Sequence, residues 1–455
     1  MPSSARVRTW RLGVTTLAIG AAVIACAPDP ELSRADPVTV AHLEWQPARA
    51  AVVAELIPAF EADAAGRGNP IRIRLEELDL ADAAFRDVLE RRYVAGRGPD
   101  VTSFPTAWAP DLAAANHLLD LRARVDGWPD WGTHVYPVLR DRARQVDGSV
   151  VGIPRGATVI QLFYRRDVLE AFGVATEQPR TWTELLDRMR TLRDAMGVPP
   201  LLIPAGTNWE GGTFDEGFIN LLLGTGSALY DDAAGRWVVR SPGLTSVFRF
   251  YETLVHERLI PVAPLLEPEP WEPTKYQTFV DGDLAVVTQG TWGWTFDWGP
   301  NGRRPIPQLE ERVGTWAFPV ERTGEPFVWA AEPWVWSIAR TSGQPDAAWD
   351  WIQWLTTGEA LARDLVAVGN VAPRDDIREV SPYADQPVLL RDEERLAIGR
   401  SFRPQVGFDA VRAAVATATQ GILLGELSSD EAAEQFARDV TRALGRAAVT
   451  DAAES

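Results

Sequence analysis

The chain has 455 residues, a formal net charge of −18 at neutral pH and a single lysine, Lys275, among its 45 basic residues. Such an acidic surface argues against nucleic acid or anionic lipid as a partner, and a single cysteine excludes an internal disulfide. An apolar content of 46% over this length allows roughly two or three domains with well-formed cores.

The first element of the chain is a short apolar segment. Three arginines precede the run from Leu12 to Ile24, and Cys26 follows it. A basic start and a short apolar run are typical of a secretory signal, and a bilayer span needs about 20 residues. Residues Val23 to Cys26 resemble the bacterial lipobox, which implies that Cys26 is lipidated after export and cleavage. The alternative is an ordinary signal peptide with a chance cysteine.

Strand and helix patterns alternate after a polar segment, residues 27–37, that predicts a flexible tether. This alternation is typical of an α/β domain with a largely parallel sheet. The predicted strands are 38–43, 71–75 and 100–101, and the predicted helices lie around 53–60, 85–93 and 112–121.

The second half of the chain carries clear helix signals. Thr181 and Glu184 form a capping box before one helix, and residues Ser428 to Glu431 open the last helix. The stretch from Val150 to Tyr164 predicts extended chain. Residues 447–455 predict a disordered tail.

Catalytic and metal-binding patterns are not evident in the sequence. The four histidines do not pair with a further histidine, cysteine or acid run at metal-ligand spacing, so we expect no metal site and no cofactor. No nucleophile elbow and no phosphate-binding glycine loop occur. Acids such as Glu210, Asp215 and Glu216 leave open a glycosidase pair. The prediction is therefore a protein that binds without catalysis.

Five ordered segments resemble the sugar-binding branch of the extracellular solute-binding proteins of ABC importers, which includes maltose-binding protein. The resemblance covers nearly all of residues 38–444. The segments are Gly98-Pro99-Asp100-Val101, Gly148 to Leu169, Pro179 to Leu185, Phe279 to Trp292, and Asn370 to Arg374. Two segments depart from the family pattern: Val286-Val287 is a substitution in the core, and the tryptophan-rich run Trp329 to Trp336 replaces a glycine-rich strand entry at the pocket floor.

The resemblance implies an α/β, two-lobed periplasmic-binding-protein fold of type II. Its lobes would be discontinuous in sequence, joined by hinge crossovers, with the ligand in the cleft between them. The expected segments are a signal peptide (1–25), an anchor and tether (26–37), lobe 1 (38–156 and 318–369), lobe 2 (157–317 and 370–446) and the tail (447–455).

Sugar recognition suggests which residues to seek. Aromatic rings cover the apolar faces of a sugar, and carboxylates, amides and guanidinium groups bond its hydroxyls. The expected ligand contacts, chosen where tryptophan lies beside a polar side chain or where the family resemblance points, are Glu44, Trp45, Asp100, Trp108, Arg155, Asn208, Trp209, Trp292, Trp294, Glu332, Trp334, Arg374, Arg403 and Phe408.

Packing or ion pairing within the protein is the alternative role for three of these residues. Trp292 could pack beneath the cleft, Trp334 could be a buried residue near the hinge, and Arg374 could pair with a neighbouring aspartate.

The resulting expectation is a monomeric, lipid-anchored receptor outside the cell membrane that binds a carbohydrate and delivers it to the permease of an ABC importer. Clustered arginines would instead favour an anionic ligand such as a glycerophosphodiester, or a peptide. A surface-anchored glycan hydrolase is the alternative from another class.

Overall fold

The computed structural model describes residues 37–452, apart from residues 81, 146 and 332–333, and leaves the side chains at 48, 82 and 83 undescribed. The predicted signal segment, Cys26, nearly all of the tether and Glu332 therefore lie outside the described residues. In the part of the chain that is described, no helix is long and apolar enough to cross a membrane.

The strands are β1 (Val38–Glu44), β2 (Ile71–Glu77), β3 (Val101–Pro105), β4 (Ile153–Pro154), β5 (Thr158–Arg165), β6 (Leu201–Leu202), β7 (Tyr230–Asp231), β8 (Arg236–Arg240), β9 (Val286–Gly290), β10 (Val313–Trp316), β11 (Val328–Ala331), β12 (Trp334–Ile338), β13 (Gly399–Arg400) and β14 (Val449–Asp451). The helices are α1 (Pro47–Gly66), α2 (Asp82–Val94), α3 (Ala109–Ala114), α4 (Arg122–Asp126), α5 (Pro129–Thr133), α6 (Pro137–Ala143), α7 (Arg166–Ala171), α8 (Trp182–Met196), α9 (Ile219–Thr225), α10 (Pro242–His256), α11 (Val262–Leu265), α12 (Trp271–Pro273), α13 (Phe279–Asp281), α14 (Leu309–Arg312), α15 (Pro345–Leu355), α16 (Gly358–Val368), α17 (Pro387–Glu394), α18 (Phe408–Leu423) and α19 (Ser429–Leu444).

The first sheet has five strands in the order β2-β1-β3-β12-β4. β1 runs parallel to β2 and β3, whereas β12 runs antiparallel to β3 and β4. The buried side of this sheet packs on α1, α15 and α16 through residues such as Val53, Phe60, Trp351 and Leu361. Burial of these apolar side chains drives the assembly of this half of the protein.

The second sheet has the order β13-β11-β5-β9-β6, and β10 also pairs with β5. All eight residues of the central strand β5 are buried, as expected for a strand covered on both faces. Helices α8, α10, α18 and α19 supply its core partners, among them Met189, Phe248, Val415 and Phe436. A small third sheet, β14-β8-β7, lies beside α19.

The capping box predicted at Thr181 forms in part, and a complete one begins α19. The Thr181 hydroxyl accepts a hydrogen bond from the amide of Glu184 at 3.2 Å, and the Glu184 carboxylate accepts from the amide of Arg180 at 2.8 Å. At α19, the Ser428 hydroxyl and the Glu431 carboxylate each bond the other residue's amide. These bonds satisfy amides that a helix start otherwise leaves unpaired.

Two local predictions were wrong. The helix predicted for 112–121 ends at Ala114, because Asn116 adopts a left-handed φ of 63° and Leu118 pairs with Ala339 as a β-bridge. The tail is not disordered throughout, since Val449–Asp451 forms β14 and pairs in parallel with β8. The β-branched pair Val449-Thr450 suits this edge position.

The predicted lobe boundaries differ from the packing at two places. β11, expected in lobe 1, belongs to the second sheet. Residues Val371, Ile377, Tyr383 and Leu396, expected in lobe 2, join the core beneath the first sheet. The remaining boundaries stay predictions.

Candidate functional site

Two strand edges meet where the chain passes between the sheets. In the first sheet β1 ends at Glu44, β3 ends at Pro105, and β12 begins opposite Pro105 at Trp334. In the second sheet β9 ends at Gly290 beside the start of β5. Only residues 155–157 separate β4 from β5. Ligands of open α/β sheets bind outside the carboxyl ends of strands, so this junction is the candidate site.

An aromatic cluster lines the edge of the first sheet. Trp45 stacks on Phe85 with ring centroids 4.6 Å apart, and its centroid lies 5.8 Å from Trp108 and 5.0 Å from Trp334. The guanidinium of Arg49 lies 4.2 Å from the Trp334 centroid. The structure thus brings together three tryptophans predicted as ligand contacts. All three are more than nine-tenths buried, so their mutual packing accounts for most of their surface.

Glu44 and Arg155, also predicted as ligand contacts, are fully buried and pair with each other. Nη1 of Arg155 donates to Oε2 of Glu44 at 2.8 Å, and its other nitrogens donate to both oxygens of Asp364 at 2.7 and 2.9 Å. The same guanidinium lies 4.2 Å from the centroid of Trp336. This network leaves neither side chain exposed to a ligand.

The electrostatics of Glu44 agree with a structural role. Burial alone would raise the pKa of Glu44, but Arg155, His42 and Ser103 outweigh burial and lower it to about 2. Burial lowers the pKa of neighbouring His42, although Glu44 opposes this effect. The Glu44 carboxylate and the Arg155 guanidinium are therefore both charged at neutral pH.

A buried polar cluster lies at the end of β9 in the second sheet and includes Gln289 of that strand. Nζ of Lys275 donates to Oε2 of Glu216 and, at 2.9 Å, to Oε1 of Gln289. The Gln289 amide donates to Asp297, whose other carboxylate oxygen accepts from the hydroxyl of Tyr276 at 2.7 Å. We call these five residues the Lys275 cluster.

Sequence reasoning missed most of the Lys275 cluster. Glu216 entered only as an acid of the glycosidase alternative, and Lys275 only as a feature of the composition. The available signal was that Lys275 is the single lysine of the chain. Burial raises the pKa of Glu216, opposed by Lys275, and it raises the pKa of Asp297, opposed by the hydrogen bond from Tyr276.

Trp209 lies directly beside this cluster. The ammonium of Lys275 is 5.3 Å from the Trp209 ring centroid, within cation–π range, and Trp271 meets the same ring edge-on at 6.2 Å. The side chain of Asn208 donates to the carbonyl of Leu266 at 2.7 Å, which fixes the loop that carries Trp209. Of the predicted ligand contacts, Trp209 therefore lies beside the Lys275 cluster, and Asn208 holds the loop of Trp209.

Trp292 follows the end of β9 and is only partly buried. Its ring occupies the space above Gly290, where an added Cβ would lie 1.9 Å from the indole. Glycine is thus required for the ring to turn back over the strand end. This position leaves part of Trp292 open at the junction, as a stacking residue needs.

Three other predicted contacts have structural partners instead. Trp294 is buried and donates from Nε1 to Asp392 at 2.9 Å. Phe408 packs in the core of the second sheet, with its ring centroid 4.9 Å from that of Phe214. Asp100 accepts from the amide of Ala41 at 2.8 Å and from the hydroxyl of Ser342 at 2.6 Å. Ligand binding by these residues gains no support from their contacts.

The remaining predicted arginines are neutralised by acids. Arg374 is buried and binds Asp376 through two nitrogens at 2.6 and 2.7 Å and Asp130 at 2.8 Å, which is close to the alternative that the sequence left open. Arg403 donates to Asp232 at 3.0 Å. With Arg155 also paired, no cluster of arginines free for an anionic ligand forms among these three.

Charged side chains also connect the half built on the first sheet to the half built on the second, away from the segments where the chain crosses between them. Arg86 of α2 donates to Asp409 of α18 and, at 3.3 Å, to Asp111. Asp111 in turn accepts from the amide of Gly407 at 3.2 Å. Arg412, one turn after Asp409, donates to Asp215 at 3.2 Å, next to the Lys275 cluster.

One group of possible metal ligands occurs among the described residues. His134, Asp375 and Asp376 bring a ring nitrogen and two carboxylates within 4.8 Å of one another, although the sequence spacing indicated none. Asp376 is held by Arg374, and Asp375 pairs with His134 at 2.8 Å. These contacts already engage one carboxylate oxygen of Asp375 and both carboxylate oxygens of Asp376.

Comparisons with known proteins agree with this architecture. The profile described as bacterial extracellular solute-binding protein matches residues 55–390. The multiple sugar-binding protein of Streptococcus mutans serotype c is 22% identical over 391 residues, which cover 83% of this chain and 85% of that protein. This chain therefore belongs to the bacterial extracellular solute-binding proteins.

Solved structures confirm the predicted two-lobed α/β fold. The sugar-binding protein MalE from Xanthomonas citri superimposes with a TM-score of 0.76 at 21% identity, covering 90% of this chain and 98% of that one. The cyclic α-maltosyl-1,6-maltose binding protein from Arthrobacter globiformis gives 0.73 at 20% identity, covering 90% and 100%.

Proposed function

We propose that this protein is the carbohydrate-binding component of an ABC importer. The observation that carries the proposal is the partly open Trp292 at the end of β9, the strand whose Gln289 bonds the ammonium that also holds the Glu216 carboxylate, with the buried Trp209 against that ammonium. Rings cover the C–H faces of a sugar, and carboxylates accept its hydroxyl protons. The names of its relatives, which bind multiple sugars and maltose derivatives, support the same class of ligand.

The paired arginines count against the anionic alternative. Arg155, Arg374 and Arg403 each bind at least one carboxylate of the protein itself, so their charges are already compensated. An uncharged sugar needs no such compensation. The ligand would be a mono- to oligosaccharide, bound as the lobes close around it.

The protein would act outside the cytoplasm, where its family works. We propose that Cys26 carries the lipid anchor, that the receptor is a monomer, and that it hands its sugar unchanged to the permease. A tethered receptor raises the effective concentration of loaded protein at the transporter. A receptor of this kind releases its sugar intact, whereas a hydrolase would cleave it.

A ligand screen tests this function directly. Thermal unfolding is measured with glucose, maltose, maltotriose, sucrose, lactose and glycerophosphocholine, followed by calorimetry for each hit. At least one sugar should raise the melting temperature, because a ligand that binds only the folded state stabilises it. Chromatography should recover that sugar intact. Stabilisation by glycerophosphocholine alone, or cleavage of the sugar, would overturn the proposal.

A further inference from the structure

Two π-helical turns carry the charged pair of the Lys275 cluster. Glu216 lies in the π-helical segment Thr213–Phe218, and Lys275 lies in another, Thr274–Thr278. Such turns are rare, strained insertions that occur often at functional sites. Gly217 permits the first one, because an added Cβ would lie 2.4 Å from the carbonyl oxygen of Pro204. The two turns bring together residues that a regular helix would direct elsewhere.

The two carboxylate oxygens of Glu216 have different surroundings. Oε2 accepts from Lys275, whereas the described residues place no hydrogen-bond donor on Oε1. Oε1 lies beside the Trp209 loop: a Cβ added to Gly212 would be 3.2 Å from Oε1 and 2.5 Å from Nε1 of Trp209. The Glu216 side chain keeps 12% of its surface exposed. One acceptor atom is therefore available next to an indole.

Lys275 is held rigidly beneath this acceptor. Its ammonium is bound to Glu216 and Gln289, and its backbone carbonyl accepts from Nε1 of Trp298 at 3.0 Å. The side chain is 5% exposed, so the ligand would not need to touch it. The ammonium opposes the rise in the pKa of Glu216 that burial causes.

We infer that Lys275 is a positioning residue that presents Oε1 of Glu216 beside Trp209, forming a subsite for a neutral sugar ring that rejects acidic sugars. The inference rests on the proposed function and adds its selectivity. A carboxylate accepts hydroxyl protons but repels an anion. Because the described residues place no donor on Oε1 of Glu216, the carboxylate of an acidic sugar would meet an acceptor there and not a donor.

Matched ligands and variants test the subsite. Calorimetry compares glucose, maltose and maltotriose with glucuronic acid and glucose 1-phosphate. Wild type should bind at least one neutral sugar and neither acid. Glu216→Gln should weaken that sugar by about tenfold to a hundredfold, because a hydrogen bond to a charged group is lost. Glu434→Gln, which breaks the exposed pair with Arg240, is the control and should leave affinity unchanged.

A double variant separates loss of sugar binding from loss of the folded structure. Glu216→Gln leaves the Lys275 ammonium buried without its partner, whereas Glu216→Gln with Lys275→Met removes both charges. The double variant should fold like wild type and still bind weakly. Full affinity in a folded double variant would overturn the inference while the proposed function stands. If no neutral sugar binds wild type, both fail together.

The pH profile separates positioning from simple support of the fold. In Lys275→Gln, burial raises the pKa of Glu216 without an opposing cation, so affinity should begin to fall at a higher pH than in wild type. Lys275→Arg, which keeps the charge, should restore the wild-type profile. An unshifted profile in a folded Lys275→Gln protein would assign Lys275 a structural role only.

Discussion

The guanidinium of Arg155 and the carboxylate of Glu44 lie 2.8 Å apart, and both side chains are fully buried. Each is a plausible sugar contact when considered alone in the sequence. In the structure they satisfy each other and, with Asp364, connect the end of β1 to the crossover that leaves β4. Charged side chains near a cleft can thus belong to its frame rather than to its binding surface.

Removing Arg155 should destabilise the fold strongly. Arg155→Met leaves Glu44 and Asp364 buried without a cation, and breaking a buried pair costs about 3–5 kcal/mol. Urea unfolding measures the loss. Arg240→Met, at a pair whose side chains are about half exposed, should change the free energy of unfolding by about 1 kcal/mol or less. Equal effects of the two substitutions would contradict the assignment.

Glu44 predicts a specific acid sensitivity. Its pKa falls from 4.5 to about 2 on folding, so its contribution to stability is fully present above pH 4.5 and is lost as the pH falls towards 2. The shift corresponds to about 3 kcal/mol. Unfolding free energies measured from pH 6 to pH 2 should therefore fall less steeply in Glu44→Gln than in wild type. Parallel curves would show that other acids dominate.

Trp292 should contribute directly to sugar binding. Trp292→Ala is expected to weaken binding of the sugar found in the screen by on the order of 2 kcal/mol, because it removes a desolvated stacking surface. Calorimetry measures the change. Trp354→Ala, on α15 beneath the first sheet, is the control and should not alter affinity. A Trp292→Ala protein that binds as tightly as wild type would leave this indole with a packing role.

The ion pair between Arg86 and Asp409 should favour contact between the lobes. Arg86→Ala removes the bonds to Asp409 and Asp111, so the ligand-free protein should become more open. Small-angle X-ray scattering should show a larger radius of gyration without sugar and an unchanged one with saturating sugar. Because the pair is partly exposed, the effect on closure should be about 1 kcal/mol or less. An unchanged ligand-free radius would contradict this role.

Cys26 is tested by its location in the cell. Cys26→Ser should abolish lipidation, so the protein should be released or accumulate as an uncleaved precursor. Fractionation and mass spectrometry of the mature N-terminus check the result. A correctly cleaved variant that still sediments with the membrane would exclude the anchor.

Local signals predicted much of the fold. Helix caps at Thr181 and Ser428 depend on residues three positions apart, and strand alternation is equally local. Because the parallel strands β1 and β3 end at the same edge of the sheet, strand order alone predicts that Trp45 and Trp108 lie close together. The Lys275–Glu216 pair was beyond reach, because it joins residues 59 positions apart through two unusual turns. The acid partners of Arg155 are likewise distant, 111 and 209 positions away.

The crossover at residues 155–157 limits how this receptor can move. Arg155 is anchored by its ion pairs, and Ala157 exchanges two backbone hydrogen bonds with Val371, at 2.8 and 2.9 Å. Between them, Gly156 lies so close to Asn370 that an added Cβ would come within 2.9 Å. Three residues span at most about 11 Å, so the halves can swivel but cannot drift apart. Because β11 and β12 also join the two sheets directly, a change in the opening angle requires coordinated backbone rotation at both short crossovers.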